Sequence, residues 1–288
     1  MAGDHYIQQK YLQQFEIPDN PGSLAFWYRK NGTEVRVTGT RVLCSEKDFY
    51  TTYDDDINKS RYIDEYLTKK LEPSLSTILN RLHKNETFAP SEILAFSQYI
   101  VFKFYMVPSW RELHKYLSEK FLSHLNDRSH PNIWAKELFS TYSKEANLLA
   151  GMFWRVYTAP KGASFITSDN PVTCVNNPSG TYSKGSEGAV GGQLGAPNNL
   201  IYFPLTKKHM LQIWGSIPTG FEYSTASKGR VATYNSYTQL NCHNYLIGSN
   251  EQLVFKYAKL AANSNQMTEL KKAHTQQLLD EKLAEEDN

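Results

Sequence analysis

The chain has 288 residues, 40% of them apolar and 21% charged, a balance that excludes an intrinsically disordered chain. Its 31 basic and 29 acidic side chains leave a net charge of +2, which neither demands nor excludes nucleic acid but lacks the basic excess usual in a dedicated duplex binder. Cys44, Cys174 and Cys242 lie far apart with no Cys-x-x-Cys pair, so neither a zinc ribbon nor a disulfide framework is indicated.

No leader-like apolar segment opens the chain, and no run approaches the roughly 20 apolar residues needed to span a bilayer. The expectation is a soluble cytoplasmic protein with reduced thiols and no membrane association.

In chain order, residues 4–15 read as a short helix or helical turn docked by Tyr11, Leu12 and Phe15, which recur at three- and four-residue spacing. A hairpin follows, Ala25 to Arg29 and Val35 to Val37, around Asn31-Gly32, a pair that tolerates positive φ. Leu43 to Tyr53 is a connecting arm, and Asp54-Asp55-Asp56 is a solvated loop without the alternating spacing of a calcium site. From Asn58 helices dominate. Ile63, Leu67 and Leu71 make an apolar stripe that Leu75, Ile78, Leu79 and Leu82 continue, and Pro73 must open a second helix or kink a single one.

The next helix starts at Pro90 and carries Ile93, Phe96, Tyr99, Ile100 and Phe104; apolar nearly all round, it is expected to be the central one, ended by Pro108. Trp110 to Phe121 and a segment from Pro131 to Tyr142 supply two more helices. After Gly151 the pattern turns extended: Met152 to Thr158, Ser164 to Ser168, Val172 to Val175, Leu200 to Leu205 and His209 to Trp214. Between them, Pro178 to Pro197 is a Gly/Ser-rich loop that would suit a lid; it lacks the Gly-Lys-Ser/Thr ending of a P-loop. Arg230 to Cys242 has helical spacing and Tyr245 to Ile247 reads as a last strand.

The fold expected is α+β: an N-terminal β-hairpin, a central helical bundle, then a C-terminal antiparallel sheet with a closing helix. Residues 1–262 form one domain with parts at 1–57, 58–150 and 151–262, followed by a charged helix or tail over 263–288.

Candidate chemistry comes from scattered polar residues. His5 with Gln9 one turn later would place an imidazole and an amide on one helical face, as a general acid/base and its neighbour; a helix-terminal His satisfied by backbone is the bland reading. Phe165 to Val172 reads as a buried strand ending abruptly, with Asp169 and Asn170 at its tip. They could bind metal, act as base or fix a substrate, or make an Asx-turn before Pro171. Glu65 and Glu72 are seven apart, on one face of a continuous helix, where they could hold a divalent cation or cap and solvate. Gln98, the polar exception on the central helix, lines a pocket or bridges two helices.

His5-Tyr6-x-x-Gln9-x-Tyr11-Leu12-x-x-Phe15 resembles the opening signature of an uncharacterised family of bacteria and their mobile elements, domain of unknown function 4238. Glu46-Lys47-Asp48-Phe49-Tyr50, the helix from Glu65 to Glu72, Gln98, Pro108 with Arg111-Glu112, the Thr167-Ser168-Asp169-Asn170-Pro171-Val172 string, Phe203-Pro204-Leu205 and Asn235 agree in order. Gln8 stands where the family commonly has Pro, and Met106 where it commonly has Arg. The resemblance implies no established activity, and its association with mobile elements implies a setting in phage–host conflict.

Two functions are therefore carried forward. One is a hydrolase acting on nucleic acid or a nucleotide, nuclease-like, with His5 and Asp169 catalytic, Gln9, Gln98 and Asn170 on the substrate, and Asp169 with Glu72 on a divalent metal, Mg²⁺ or Mn²⁺. The other is a non-catalytic protein that binds a protein or small ligand through a Tyr-rich surface. Oligomeric state is left open.

Overall fold

The structure is a computed structural model that describes residues 4–53, 59–121, 133–176, 194–195, 198–215, 219–262 and 276. The chain opens with strand β1 (Asp4–His5) and reaches helix α1 (Gln9–Leu12) only after Gln8; the helix tightens into a 3-10 turn over Gln13–Phe15. The opening segment is thus strand first and helix second. Its apolar residues do dock as their spacing predicts: Tyr11, Leu12 and Phe15 are all buried.

Strands β2 (Ser23–Tyr28) and β3 (Val35–Gly39) form the expected hairpin, with Trp27 opposite Val35. The connection is longer than a two-residue turn. A 3-10 turn over Arg29–Asn31 leads into Gly32, whose φ of 63° suits glycine. The connecting arm contains β4 (Ser45–Glu46), paired with β1, and β5 (Thr52–Tyr53), paired with β6 (Lys59–Ser60). The Asp54-Asp55-Asp56 run lies outside the described residues.

Helix α2 (Tyr62–Tyr66) runs through a π-helical turn (Leu67–Leu71) into α3 (Glu72–Lys84). Pro73, which has no N–H to donate, sits in the first turn of α3, and the winding just before it widens instead of closing an ordinary i→i−4 ladder. Helix α4 (Pro90–Tyr105) begins where the sequence indicates; Glu92 accepts the Ala89 N–H at 2.8 Å and receives the Arg81 guanidinium. Phe96, Tyr99, Ile100, Phe102 and Phe104 are buried, which makes α4 the central helix as expected. Pro108 opens α5 (Pro108–Phe121), and α6 (Ile133–Ala150) packs along α4.

Beyond α6 come β7 (Phe153–Thr158), β8 (Thr167–Ser168), β9 (Thr173–Val175), β10 (Leu200–Thr206), β11 (His209–Trp214), β12 (Gly220–Thr225), α7 (Lys228–Asn241), β13 (Tyr245–Gly248) and α8 (Glu251–Ala262). They build a five-stranded sheet in the order β12-β7-β11-β10-β9 and a four-stranded sheet in the order β3-β2-β13-β8. The class is α+β, with two refinements. The N-terminal hairpin does not stand apart but shares a sheet with β13 and β8, and β12, unread in the sequence, joins the edge of the larger sheet parallel to β7. Almost all of the Gly/Ser loop expected as a lid lies outside the described residues, as does the C-terminal segment apart from Gln276.

The N-terminal arm joins these layers. The Tyr11 hydroxyl donates to the Pro204 carbonyl on β10 at 2.6 Å and lies 2.7 Å from the Thr167 hydroxyl on β8, so one phenol touches both sheets. Its ring stacks on Phe203, which also stacks with Phe96 of α4.

Candidate functional site

The N-terminal arm forms one wall of a cleft of about 530 Å³, with Asp4, His5, Gln8, Gln9 and Lys10. Lys47 and Asp48, after β4, form the second wall; Arg61, Asp64, Thr68 and Glu72, along α2, the π turn and α3, form the third. A smaller hollow of about 330 Å³ adjoins it and shares Gln8, Lys10, Thr68 and Glu72. The π turn supplies Thr68, a placement in keeping with the tendency of π windings to occur at functional sites.

Local interactions hold these walls. Asp4 is nearly buried; one carboxylate oxygen accepts the Tyr50 N–H at 3.2 Å and the other takes Arg61 at 2.7 Å. Arg61 also contacts Asp64 at 2.7 Å, and these two acids, Asp64 foremost, raise its pKa. Arg111 of α5 grips both oxygens of Glu46 at 2.7 and 2.8 Å and lies over the Phe49 ring, fixing the loop that carries Lys47 and Asp48. Asp48 has a φ of 58°, a left-handed conformation that Asp tolerates better than most residues.

His5 Nε2 lies 3.1 Å from the carbonyl of Arg41. A carbonyl can only accept, so Nε2 carries a proton, and the neutral form of the ring has its lone pair on Nδ1. Gln9 Nε2 donates to the Thr40 hydroxyl at 3.2 Å, so Gln9 and His5 are both held by the segment that follows β3. Glu72, Lys10 and Lys47 make no side-chain hydrogen bond or ion pair among the described residues.

Beneath the arm, Lys103 of α4 is buried and donates to the Tyr6 carbonyl at 2.7 Å. Burial pushes its amine down to about 8, against the opposing pull of Glu72. Tyr99, one turn earlier, donates its hydroxyl to Gln8 Oε1 at 2.6 Å.

The expected site residues separate into two places. His5, Gln9 and Glu72 line the cleft. Asp169, Asn170 and Gln98 do not. Asp169 is fully buried, and its two oxygens accept the backbone N–H groups of His243 at 3.1 Å and Asn244 at 2.7 Å. Burial raises its pKa despite those bonds and the nearby His243. Asn170 donates to the Asn241 carbonyl at 3.0 Å, Asn241 returns bonds to the carbonyls of Asn170 and Val172, and Ser168 bonds both backbone groups of Asn170. The strand tip is therefore a turn locked against the end of α7.

Gln98 is half-buried on α4 away from the cleft, and Met106 is fully buried in the core. Nor do the two acids seven apart make a pair. Glu65 faces solvent and bonds Lys69 at 2.8 Å, because the π turn between them breaks the regular winding that would align it with Glu72. Asp169 and Glu72 consequently share no site, and no group of three or more His, Cys, Asp or Glu among the described residues could hold a metal ion.

Sequence reasoning did not single out Gln8, Lys10, Arg61, Asp64 or Thr68 as site residues. Lys47 and Asp48 had a signal inside the Glu46-to-Tyr50 string, Thr68 inside the Glu65-to-Glu72 helix, and Gln8 as a departure from the family pattern.

The fold and cleft define an α+β protein with a polar, mixed-charge site at its N-terminal arm. A family model described as "Protein of unknown function (DUF4238)" matches residues 4–252, and the chain belongs to that family. No curated protein and no solved structure matches it. No helix among the described residues is long and apolar enough to cross a membrane.

Proposed function

We propose that the protein is a hydrolase acting on a nucleotide or nucleic acid, with its chemistry in the cleft at the N-terminal arm. One observation carries this reading: His5, with a carbonyl-fixed tautomer, shares a concave site with Glu72, Lys10 and Lys47, drawn from three distant segments. His5 Nδ1 is the general base, later acid, toward the attacking water or leaving group. Lys10 and Lys47 supply positive charge for phosphate oxygens. Glu72 is the one carboxylate of the expected pair that lines the cleft, and it takes the place given to Asp169 in the sequence reading. An effector role in phage–host conflict is the biological setting consistent with this chemistry.

The test is hydrolysis of labelled single- and double-stranded DNA and RNA and of free nucleotides, with Mg²⁺, Mn²⁺ or EDTA. His5→Ala should lower the rate by about 100-fold or more, the usual weight of a general acid/base, with an unchanged circular dichroism spectrum. Equal rates in wild type and variant would sink the assignment, and the EDTA arm decides metal dependence.

The second reading, a non-catalytic ligand- or protein-binding protein, is favoured by the buried amide of Gln8, a feature that serves binding and not bond cleavage. Ligand bound without turnover would establish it.

A further inference from the structure

Gln8 is only 5% exposed, yet it lines both the main cleft and the adjoining hollow. Its Oε1 is taken by Tyr99, whose hydroxyl has no other acceptor among the described residues, so turning the amide over would strand the phenol proton. The amide is thereby oriented with Nε2 away from Tyr99, and that nitrogen is buried with no hydrogen-bond acceptor. A buried donor left unmet costs about 1–3 kcal/mol, a cost that an acceptor would relieve once binding opens the packing over this nitrogen. The backbone is equally fixed, because the Gln8 carbonyl accepts the N–H groups of Tyr11 and Leu12 at 3.1 Å. Glu72 lines the same two hollows, and its carboxylate, within electrostatic reach of Lys103, makes no hydrogen bond or ion pair among the described residues.

We propose that Gln8 and Glu72 form a base-reading subsite for guanine, an inference that rests on the nucleotide reading of the cleft. A rigid N–H donor and an open carboxylate on residues that line the same two hollows call for a ligand edge with one acceptor next to two adjacent donors. Guanine has that order in O6, N1–H and the N2 amino group. Adenine and cytosine each offer one donor group on this edge and uracil only N3–H, so one carboxylate oxygen would stay unmet. Lys10, shared by both hollows, and Lys47 at the rim of the cleft are placed for the phosphate.

The experiment is calorimetric titration of the full chain with GMP, IMP, AMP, CMP and UMP, and with an oligoadenylate carrying one central guanine. GMP should bind at least about tenfold tighter than AMP, the scale of one good base contact, and IMP, lacking the N2 amino group, should fall between them. Gln8→Glu keeps an oxygen for Tyr99 but removes the donor; it and Glu72→Gln should bring GMP down to the AMP level. Tyr99→Phe frees the amide to turn and should narrow the preference without abolishing binding. Selectivity seen only in the oligonucleotide would assign the guanine to a strand, not to a free nucleotide. If all mononucleotides bind alike, or if guanine preference survives both Gln8→Glu and Glu72→Gln, the subsite is wrong while the nucleotide reading stands. If neither mononucleotides nor the oligonucleotide bind, both fall.

Discussion

Lys103 is an amine buried in the core with one hydrogen bond among the described residues, to Tyr6, and the ring of Tyr99 5.6 Å from its nitrogen. Burial holds its folded-state pKa at about 8, against 10.5 for an ordinary lysine. Below about 8 the amine is charged in both folded and unfolded chains, and the full desolvation penalty is present. Between 8 and 10.5 the folded form sheds its proton first, so this group makes stability rise with pH across that window. Buried Cys44 and Tyr99, whose pKa values are raised, act in the opposite sense, so the readout must be a difference. In urea titrations from pH 7.5 to 10.5, the stability of Lys103→Met relative to wild type should fall by about 3 kcal/mol as pH rises. A difference flat with pH would show that the amine is not held this way.

Asp169 makes the complementary point at the same scale. Two backbone N–H groups end on its carboxylate, so Asp169→Ala should destabilise the fold by about 3 kcal/mol while leaving activity per folded molecule unchanged. Thermal melting and active-site titration together read this out. A normal melt with lost activity would instead return Asp169 to catalysis. The residue was legible as special because small polar side chains before a proline announce a rigid turn. Whether such a turn presents its carboxylate to a ligand or to its own backbone depends on what packs against it. Here that is the junction of α7 and β13, some 70 residues downstream.

Among the elements, the chain from α2 to α3 shows how local periodicity can be right while facing goes astray. The apolar stripe Ile63, Leu67, Leu71, Leu75 is buried throughout. The polar side did not follow regular spacing, since the π turn rotates Glu72 into the cleft and leaves Glu65 in solvent. Glu65→Gln should therefore be neutral in both melting and ligand binding, whereas Glu72→Gln weakens ligand binding at an unchanged melt. The closing elements depend on Arg29 at the end of the hairpin. Its guanidinium donates to the carbonyls of His243 at 2.9 Å, Ala261 at 2.8 Å and Cys242 at 3.3 Å, which ties the region just beyond β2 to the segment after α7 and the end of α8. Arg29→Ala should cost about 2–4 kcal/mol, more than a surface arginine, because charge-assisted bonds to part-buried carbonyls are lost together. Urea denaturation measures it; a loss under 0.5 kcal/mol, the scale of an ordinary surface substitution, would contradict the role.

For the molecule as a whole, the N-terminal arm is both core and cleft wall. Ile7, Tyr11, Leu12 and Phe15 are buried against α4 and the two sheets, while His5, Gln8 and Gln9, interleaved with them, line the cleft. A chain lacking residues 1–15 should lose cooperative unfolding altogether and not merely activity, as calorimetry would show. A sharp melt retained by that truncation would mean that the arm is an appendage.

Composition and periodicity alone determined the α+β class, the hairpin and the buried central helix, because these follow from local burial patterns and from what proline, glycine and short polar side chains do to the backbone. Strand β12 escaped because a parallel edge strand shows no simple alternation and pairs with β7 some 67 positions away. Which residues of distinct segments line the cleft together, Gln8 and Lys10 with Lys47 and Thr68, was likewise decided only by the tertiary structure. A cleft is made of side chains that are neighbours in space, and no local rule of the chain encodes which polar residues meet there and which are spent holding turns.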